Sequence, residues 1–210
     1  ISSREYLERG ILLAQRESYH EAIENFNQSL DLEPGNADTY YERAIVYERV
    51  GRDALAREDY SSAIRLSPDF ALSYNNRGLL LSRLELHEEA VRDFSRMIQL
   101  EADNPNAYES RGRAYAALNK PHEAIADFSQ AILLESASLG FDLNTRKLTL
   151  DDGLSSDSEE TDGQDLLEAL GSQYNASLLA LRGQQQLTLK NYEDALSDFD
   201  LALQQDAELA

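Results

Sequence analysis

The stretch Tyr74–Asn106, YNNRGLLLSRLELHEEAVRDFSRMIQLEADNPN, reads as two amphipathic helices joined by a tight turn. It sets an arginine, Arg77, where a helix packed on both sides calls for an apolar side chain, and an aspartate, Asp93, sixteen residues later. The surroundings of this pair recur along the chain. Alanines stand at Ala22, Ala56, Ala90 and Ala124, each 34 residues after the last. Four residues beyond each is an aromatic (Phe26, Tyr60, Phe94, Phe128), and sixteen before each is Tyr6, Tyr40, Tyr74 or Tyr108. A small residue follows each of those tyrosines at a spacing of four: Gly10, Ala44, Gly78 and Gly112. The set returns out of phase as Leu179, Gly183, Ala195 and Phe199, which makes five copies of one unit.

Each copy reads as helix, turn, helix. In copy two, Tyr40, Ala44, Tyr47 and Val50 mark one face at helical spacing, and Gly51 supplies a left-handed cap. Ala56, Tyr60, Ala63, Ile64 and Leu66 form the second helix, which the Ser67–Pro68 step ends, as Pro34 ends its counterpart in copy one. The small-residue columns let paired helices approach closely, and the aromatics fill the space between copies. One copy cannot bury its apolar face alone, so stability comes from stacking.

This pattern resembles the tetratricopeptide repeat (TPR) family over about 3–138 and 176–210. The resemblance implies an all-α, right-handed α-solenoid with ten repeat helices. The chain departs from it in having no tryptophan, in Leu179 for the first aromatic, and in Ala102 and Ser136 where Pro34 and Pro68 predict proline.

The arginines form one column, Arg9, Arg43, Arg77, Arg111 and Arg182, each just before the small residue. Sixteen residues on stand Asn25, Asp59, Asp93, Asp127 and Asp198. Typical TPR copies are apolar or aromatic at both places. Since four copies change both together, the arginine on the first helix is expected to meet the aspartate on the second, as a structural pair shielded by the next copy. Such a pair adds little net stability, while removing one partner costs about 3–5 kcal/mol.

The register is expected to divide the chain into copies one to four at 1–138, an insertion at 139–175, and copy five at 176–210. In the insertion, LDDGLSSDSEETDGQD has charge of one sign and few apolar residues, which predicts disorder over 150–164. DLLEALGSQY then predicts a short helix carrying Leu166, Leu170 and Tyr174. Ser156 and Ser158 lie in a context like that of acidophilic kinase substrates, but short acidic serine motifs arise often by chance and a plain solvated loop is the favoured reading. The chain opens at Ile1 without methionine, and copy five ends at Ala210 without a polar capping helix, so the array is expected to be truncated.

Nineteen basic against 39 acidic residues give a net charge of −20. That surface repels nucleic acid and anionic lipid, and favours neutral or basic partners. The mean hydropathy of −0.52 and the short apolar runs predict no membrane insertion. The absence of cysteine removes disulfides and thiolate metal sites and fits a reducing compartment, so a cytoplasmic location is the expectation. His20, His87 and His122 fall in three different copies and should not converge. No glycine-rich phosphate loop is present, because each Arg-Gly glycine lies inside a helix. No catalytic residue, metal or cofactor is therefore expected, nor enzyme activity.

In TPR arrays the first helices line a concave side. Carried onto this chain, that gives an apolar line of Leu7, Ile11, Tyr41, Ile45 and Leu79 flanked by Glu8, Glu42 and Glu48, with Asn75 and Asn76 farther along and Arg83 and Arg113 nearby. Aliphatic anchors with acidic flanks suit a peptide bearing aliphatic and basic side chains. TPR co-chaperones that grip acidic chaperone tails use lysine, asparagine and arginine in these columns. Here the matching places hold Leu7, Ile11, Glu42, Leu72 and Asn76, so that clamp is missing. The asparagine ladder of TPR glycosyltransferases is missing too, its column reading Glu8, Glu42, Asn76, Ser110 and Leu181. The expected role is a scaffold or adaptor for a protein or peptide. A regulatory or targeting segment of a larger protein, and self-association through uncapped array ends, are the alternatives.

Overall fold

The computed structural model describes residues 1–138, 141–142, 147–148 and 173–208. Among them are ten helices. Copies one to four contribute α1 (Ser3–Gln15), α2 (Tyr19–Leu32), α3 (Ala37–Arg49), α4 (Asp53–Leu66), α5 (Ala71–Arg83), α6 (His87–Leu100), α7 (Pro105–Ala117) and α8 (Pro121–Ser138), and copy five contributes α9 (Gln173–Thr188) and α10 (Tyr192–Glu208). They gather into two compact units, Ile1–Glu101 and Ala102–Ala210. In the first, α1 pairs with α2, α3 with α4 and α5 with α6, while α2 against α3 and α4 against α5 join the copies. In the second, α7 pairs with α8 and α9 with α10, and α9 lies directly on α8. Copy five therefore stacks on copy four although the insertion separates them in sequence.

The helix ends follow from local chemistry. Ser2 and Glu5 form a capping box at α1, Asn36 accepts from the Thr39 amide at α3, and Asn104 caps α7 ahead of Pro105. Every first helix closes with the same backbone bond: the amides of Ser18, Arg52, Leu86, Lys120 and Asn191 donate to the carbonyls of Leu13, Tyr47, Leu81, Tyr115 and Gln186. The residue before each of those donors is left-handed. Gly51 is the only glycine among them, and Glu17, Glu85, Asn119 and Lys190 adopt positive φ without that freedom. The sequence points to this turn only in copy two because the other four copies accept about 1–2 kcal/mol of strain there.

Two short strands stand at the start of the insertion. Phe141–Asp142 and Lys147–Leu148 form a two-residue antiparallel ladder, too short to show as alternation in the sequence. Helix α9 starts at Gln173, ahead of the expected resumption at Ala176, since no proline or glycine separates the two. The acidic tract 150–164, with Ser156 and Ser158, and the helix expected to carry Leu166 and Leu170 lie outside the described residues.

Four of the five arginines of the repeated column each grip an aspartate with two parallel bonds. Arg43 donates from Nε and Nη2 to Asp59 at 2.7 and 2.9 Å, and Arg77 to Asp93 at 2.7 and 2.7 Å. Arg111 reaches Asp127 at 2.8 and 2.7 Å, and Arg182 reaches Asp198 at 2.9 and 2.5 Å. All four aspartates are buried. The third guanidinium nitrogen, Nη1, crosses to the preceding copy: Arg43 to Asn27 Oδ1 at 2.6 Å, Arg77 to Ser61 Oγ at 3.0 Å, and Arg182 to Ser129 Oγ at 3.2 Å. Tyrosine rings flank the cations, with Tyr40 and Tyr47 at 5.6 Å from Arg43 and Tyr74 at 6.0 Å from Arg77. Burial works to lower the Arg43 and Arg77 pKa values, but the bonds to Asp59 and Asp93 outweigh it and the net shift is upward. Burial also holds the Asp59 carboxyl above its ordinary value, against the pull of Arg43. In copy one, Asn25 stands in for the aspartate and bonds to the Glu21 carbonyl instead, so no such pair forms.

The small-residue column has a steric cause. A Cβ on Gly10 would lie 2.5 Å from the Phe26 ring, on Gly78 2.7 Å from Phe94, and on Gly112 2.7 Å from Phe128. The aromatics thus press on their own copy's first helix, and Phe26 also packs against Val46 of the next copy. Gly78→Ala should cost about 1–3 kcal/mol by forcing the Phe94 ring aside. Gly35→Ala, where an added Cβ meets nothing within 4 Å, should change stability by less than about 0.5 kcal/mol. Urea unfolding of the two variants checks this, and equal midpoints would contradict the close approach.

Candidate functional site

The first helices of copies two and three, α3 and α5, border a cleft of about 680 Å3 lined by Ile45, Glu48, Arg49, Tyr60, Asn76, Leu79 and Arg83. Four of the residues expected in a groove, Ile45, Asn76, Leu79 and Arg83, are brought together here. Leu79 is the open apolar surface of the cleft, 49% exposed. Ile45 and Tyr41 instead back onto the core cluster that contains Ala44, Tyr60 and Leu80. The Tyr41 ring lies 4.8 Å from Phe70 and 6.0 Å from Tyr60.

The polar groups in and beside the cleft form two bonded sets. Asn75 donates to Asn76 Oδ1 at 3.1 Å, and Asn76 donates to the Tyr41 hydroxyl at 3.1 Å. The Tyr60 hydroxyl donates to Glu48 Oε2 at 2.6 Å. Arg83 lies 3.2 Å from Glu48 Oε1 and 2.7 Å from Asp53 Oδ1. Burial, followed by the bond to Glu48, pushes the Tyr60 pKa far up, so Tyr60 is a fixed donor. Burial, then the Glu42 charge, also raises Tyr41. Burial raises the Glu42 carboxyl, with nearby Asp38 adding to it.

Others of the expected groove residues have partners within the protein. Arg83 lines the cleft with its charge answered by Glu48 and Asp53, which flank the turn of copy two. Leu7 and Ile11 are half-buried against the Ala22–Phe26–Val46 cluster, so packing within copies one and two takes up much of their apolar surface. Arg113 belongs to the other compact unit, where it pairs with Glu109 one helical turn away at 2.6 Å.

Tyr60 is the contributor that column reading passed over. It is the one tyrosine among Phe26, Phe94, Phe128 and Phe199, and it faces Ala44, the one alanine among four glycines. A fully buried tyrosine needs a partner for its hydroxyl, and Glu48 stands one turn beyond Ala44 on the same face. Among the described residues, no group of three or more His, Cys, Asp or Glu could hold a metal ion. No helix among them is long and apolar enough to cross a membrane.

These contacts rank two substitutions. Tyr60→Phe removes a buried donor from a carboxylate and should cost about 1–3 kcal/mol. Arg83→Ala removes a half-exposed ion pair and should cost under about 1 kcal/mol. Urea titration of both variants should place Tyr60→Phe below Arg83→Ala in stability, and the reverse order would contradict the assignment.

Comparison with known proteins agrees with this architecture. Family models described as TPR repeat and tetratricopeptide repeat match residues 10–51, 37–70 and 75–138. No curated protein matches the sequence. Among solved structures, MamA of Desulfovibrio magneticus RS-1 aligns with a TM-score of 0.73 at 14% identity, over 98% of this chain and 96% of that one. YrrB, described as a TPR protein with an unusual peptide-binding site, aligns at 0.70 with 18% identity, over 95% and 84%. The first TPR of Spaghetti (RPAP3), bound to the HSP90 peptide SRMEEVD, aligns at 0.54 with 28% identity, over 56% and 94%. With four copies in register, a fifth beyond the insertion and family models over residues 10–70 and 75–138, the chain belongs to the tetratricopeptide repeat family.

Proposed function

We propose that this chain is a protein-binding scaffold that holds a neutral or basic peptide segment in the cleft between α3 and α5. An aliphatic side chain of the peptide rests on Ile45 and Leu79, and a lysine or arginine reaches Glu48. The observation that carries this reading is Leu79, half exposed at the mouth of a cleft whose inner wall holds the Glu48 carboxylate. Apolar anchors beside a few placed polar groups are the usual make-up of a peptide site. The 3.2 Å Arg83–Glu48 contact is the looser of the two that Arg83 makes. An incoming cation can take it over while Arg83 keeps Asp53. The amides of Asn75 and Asn76 offer bonds to a peptide backbone, and the net charge of −20 draws cationic segments in.

Peptide binding by YrrB and by RPAP3 supports the general role, and the residues here set a different preference. The RPAP3 peptide, SRMEEVD, has an acidic tail, EEVD. In this chain the positions that clamp such tails hold Leu7, Ile11, Glu42, Leu72 and Asn76, with no cation among them.

Fluorescence anisotropy with three labelled peptides tests the reading: one basic and aliphatic, one with its aliphatic residues changed to serine, one acidic. The first should bind, and Ile45→Glu with Leu79→Glu should weaken it at least about tenfold, a loss of ~1.4 kcal/mol. Equal binding of the acidic peptide, or no effect of the double substitution, would contradict it.

A further inference from the structure

The boundary between copies two and three holds a second cavity, bordered by α4, α5 and α6, that shares no residue with the cleft. Its volume is about 130 Å3, with Arg77 on one wall and Leu81 on another. In the copies on either side, the place of Leu81 is taken by Tyr47 and Tyr115, whose rings lie 5.6 and 5.8 Å from Arg43 and Arg111. A leucine cannot cover its arginine with a ring. Arg77 therefore keeps the Tyr74 ring at 6.0 Å and borders the cavity on the side of Leu81.

Two further departures from the repeat fall on the same cavity. Arg57 stands where the other copies have Ile23, Val91, Ile125 and Leu196, and Arg92 where they have Glu24, Glu58, Ala126 and Ser197. Their charges are not fully answered. Arg77 is held by Asp93 with two bonds, and Arg57 reaches Glu89 at 2.7 Å. Arg92 is exposed and has no ion-pair partner among the described residues. Three guanidiniums against two carboxylates leave one positive charge where the cavity meets solvent.

We propose that this cavity binds a planar aromatic ring bearing one carboxylate. The ring takes the place of the tyrosine that copies two and four set over their arginines, and the carboxylate reaches Arg92. An aromatic face attracts a cation, and a guanidinium–carboxylate contact fixes the orientation of the ring. A cavity of about 150 Å3 in a protein interior accepts benzene, so the volume here suits one ring and no more. A second acid group on the ligand would face Glu89 and Asp93 without a cation of its own, and the net charge of −20 repels it further. The same chemistry comes from a free aromatic acid or from the C-terminal phenylalanine of another chain. The site is separate from the cleft and does not depend on peptide binding there.

Amide NMR titration of the full chain with benzoate tests the proposal. Acetate lacks the ring, benzyl alcohol lacks the charge, and N-acetylphenylalanine stands for a chain terminus. Benzoate should give saturable shifts at Arg57, Arg77, Leu81 and Arg92 and leave Leu79 in the cleft unmoved. Acetate and benzyl alcohol should each bind at least about tenfold more weakly. Arg92→Ala, at an exposed position, should weaken benzoate by about tenfold or more. Leu81→Tyr restores the residue of copies two and four, so it should fold and abolish binding by filling the cavity. Urea unfolding checks the fold of both variants, and Arg92→Ala carries the test should Leu81→Tyr not fold. N-acetylphenylalanine binding more tightly than benzoate assigns the site to a chain terminus, and weaker binding assigns it to a free acid. No saturable benzoate shift, acetate binding as tightly as benzoate, or unchanged binding in either folded variant would each overturn the proposal.

Discussion

The structure rests on one guanidinium used three ways. In copies two, three and five, Nε and Nη2 of the column arginine bind the aspartate of the same copy, and Nη1 binds the copy before. An apolar pair would serve the helix pairing equally well by burial, and with less desolvation. The planar fork adds direction: it satisfies both carboxylate oxygens in one register and leaves a donor aimed across the boundary. A slip of one helix along its neighbour would leave a buried aspartate without its cation. We read the pair as a register device, with close approach at Gly10, Gly78 and Gly112 setting the spacing on which it depends.

Against that repeated frame, departures in single copies mark where the chain does something beyond stacking. Copy two replaces phenylalanine by Tyr60 and glycine by Ala44, and its hydroxyl anchors Glu48 at the cleft. Copy one lacks the aspartate, and copy five carries Asp200 where other copies carry serine or asparagine. The first departure shapes a pocket, and the other two leave Arg9 exposed on α1 and Asp200 exposed on α10.

The helices, their pairing and the aspartate partners of Arg43, Arg77, Arg111 and Arg182 could be read from the sequence because each is a column repeated at fixed spacing. Non-repeating features were harder to see. The left-handed turns showed only at Gly51, since Glu17, Glu85, Asn119 and Lys190 have no glycine to advertise them. The crossing bond to Asn27 and Ser61 was hidden because short polar residues next to an aromatic look like ordinary surface. Arg83 looked available because Asp53, its closer partner, opens α4 in the preceding copy 30 residues earlier, and only folding brings the two to 2.7 Å. Within the cleft, sequence columns chose Ile45, Asn76 and Leu79, while the role of Tyr60 depends on a single oxygen atom.

The most direct measurement on the register device is a double-mutant cycle on Arg77 and Asp93, with each changed to leucine singly and together and stability read by urea unfolding. Each single change should cost about 3–5 kcal/mol by leaving a charge buried without its partner. The double variant should lose at least about 2 kcal/mol less than the sum of the two. Losses that add to within about 0.5 kcal/mol would show that the two residues act independently and would contradict the central role given to the pair.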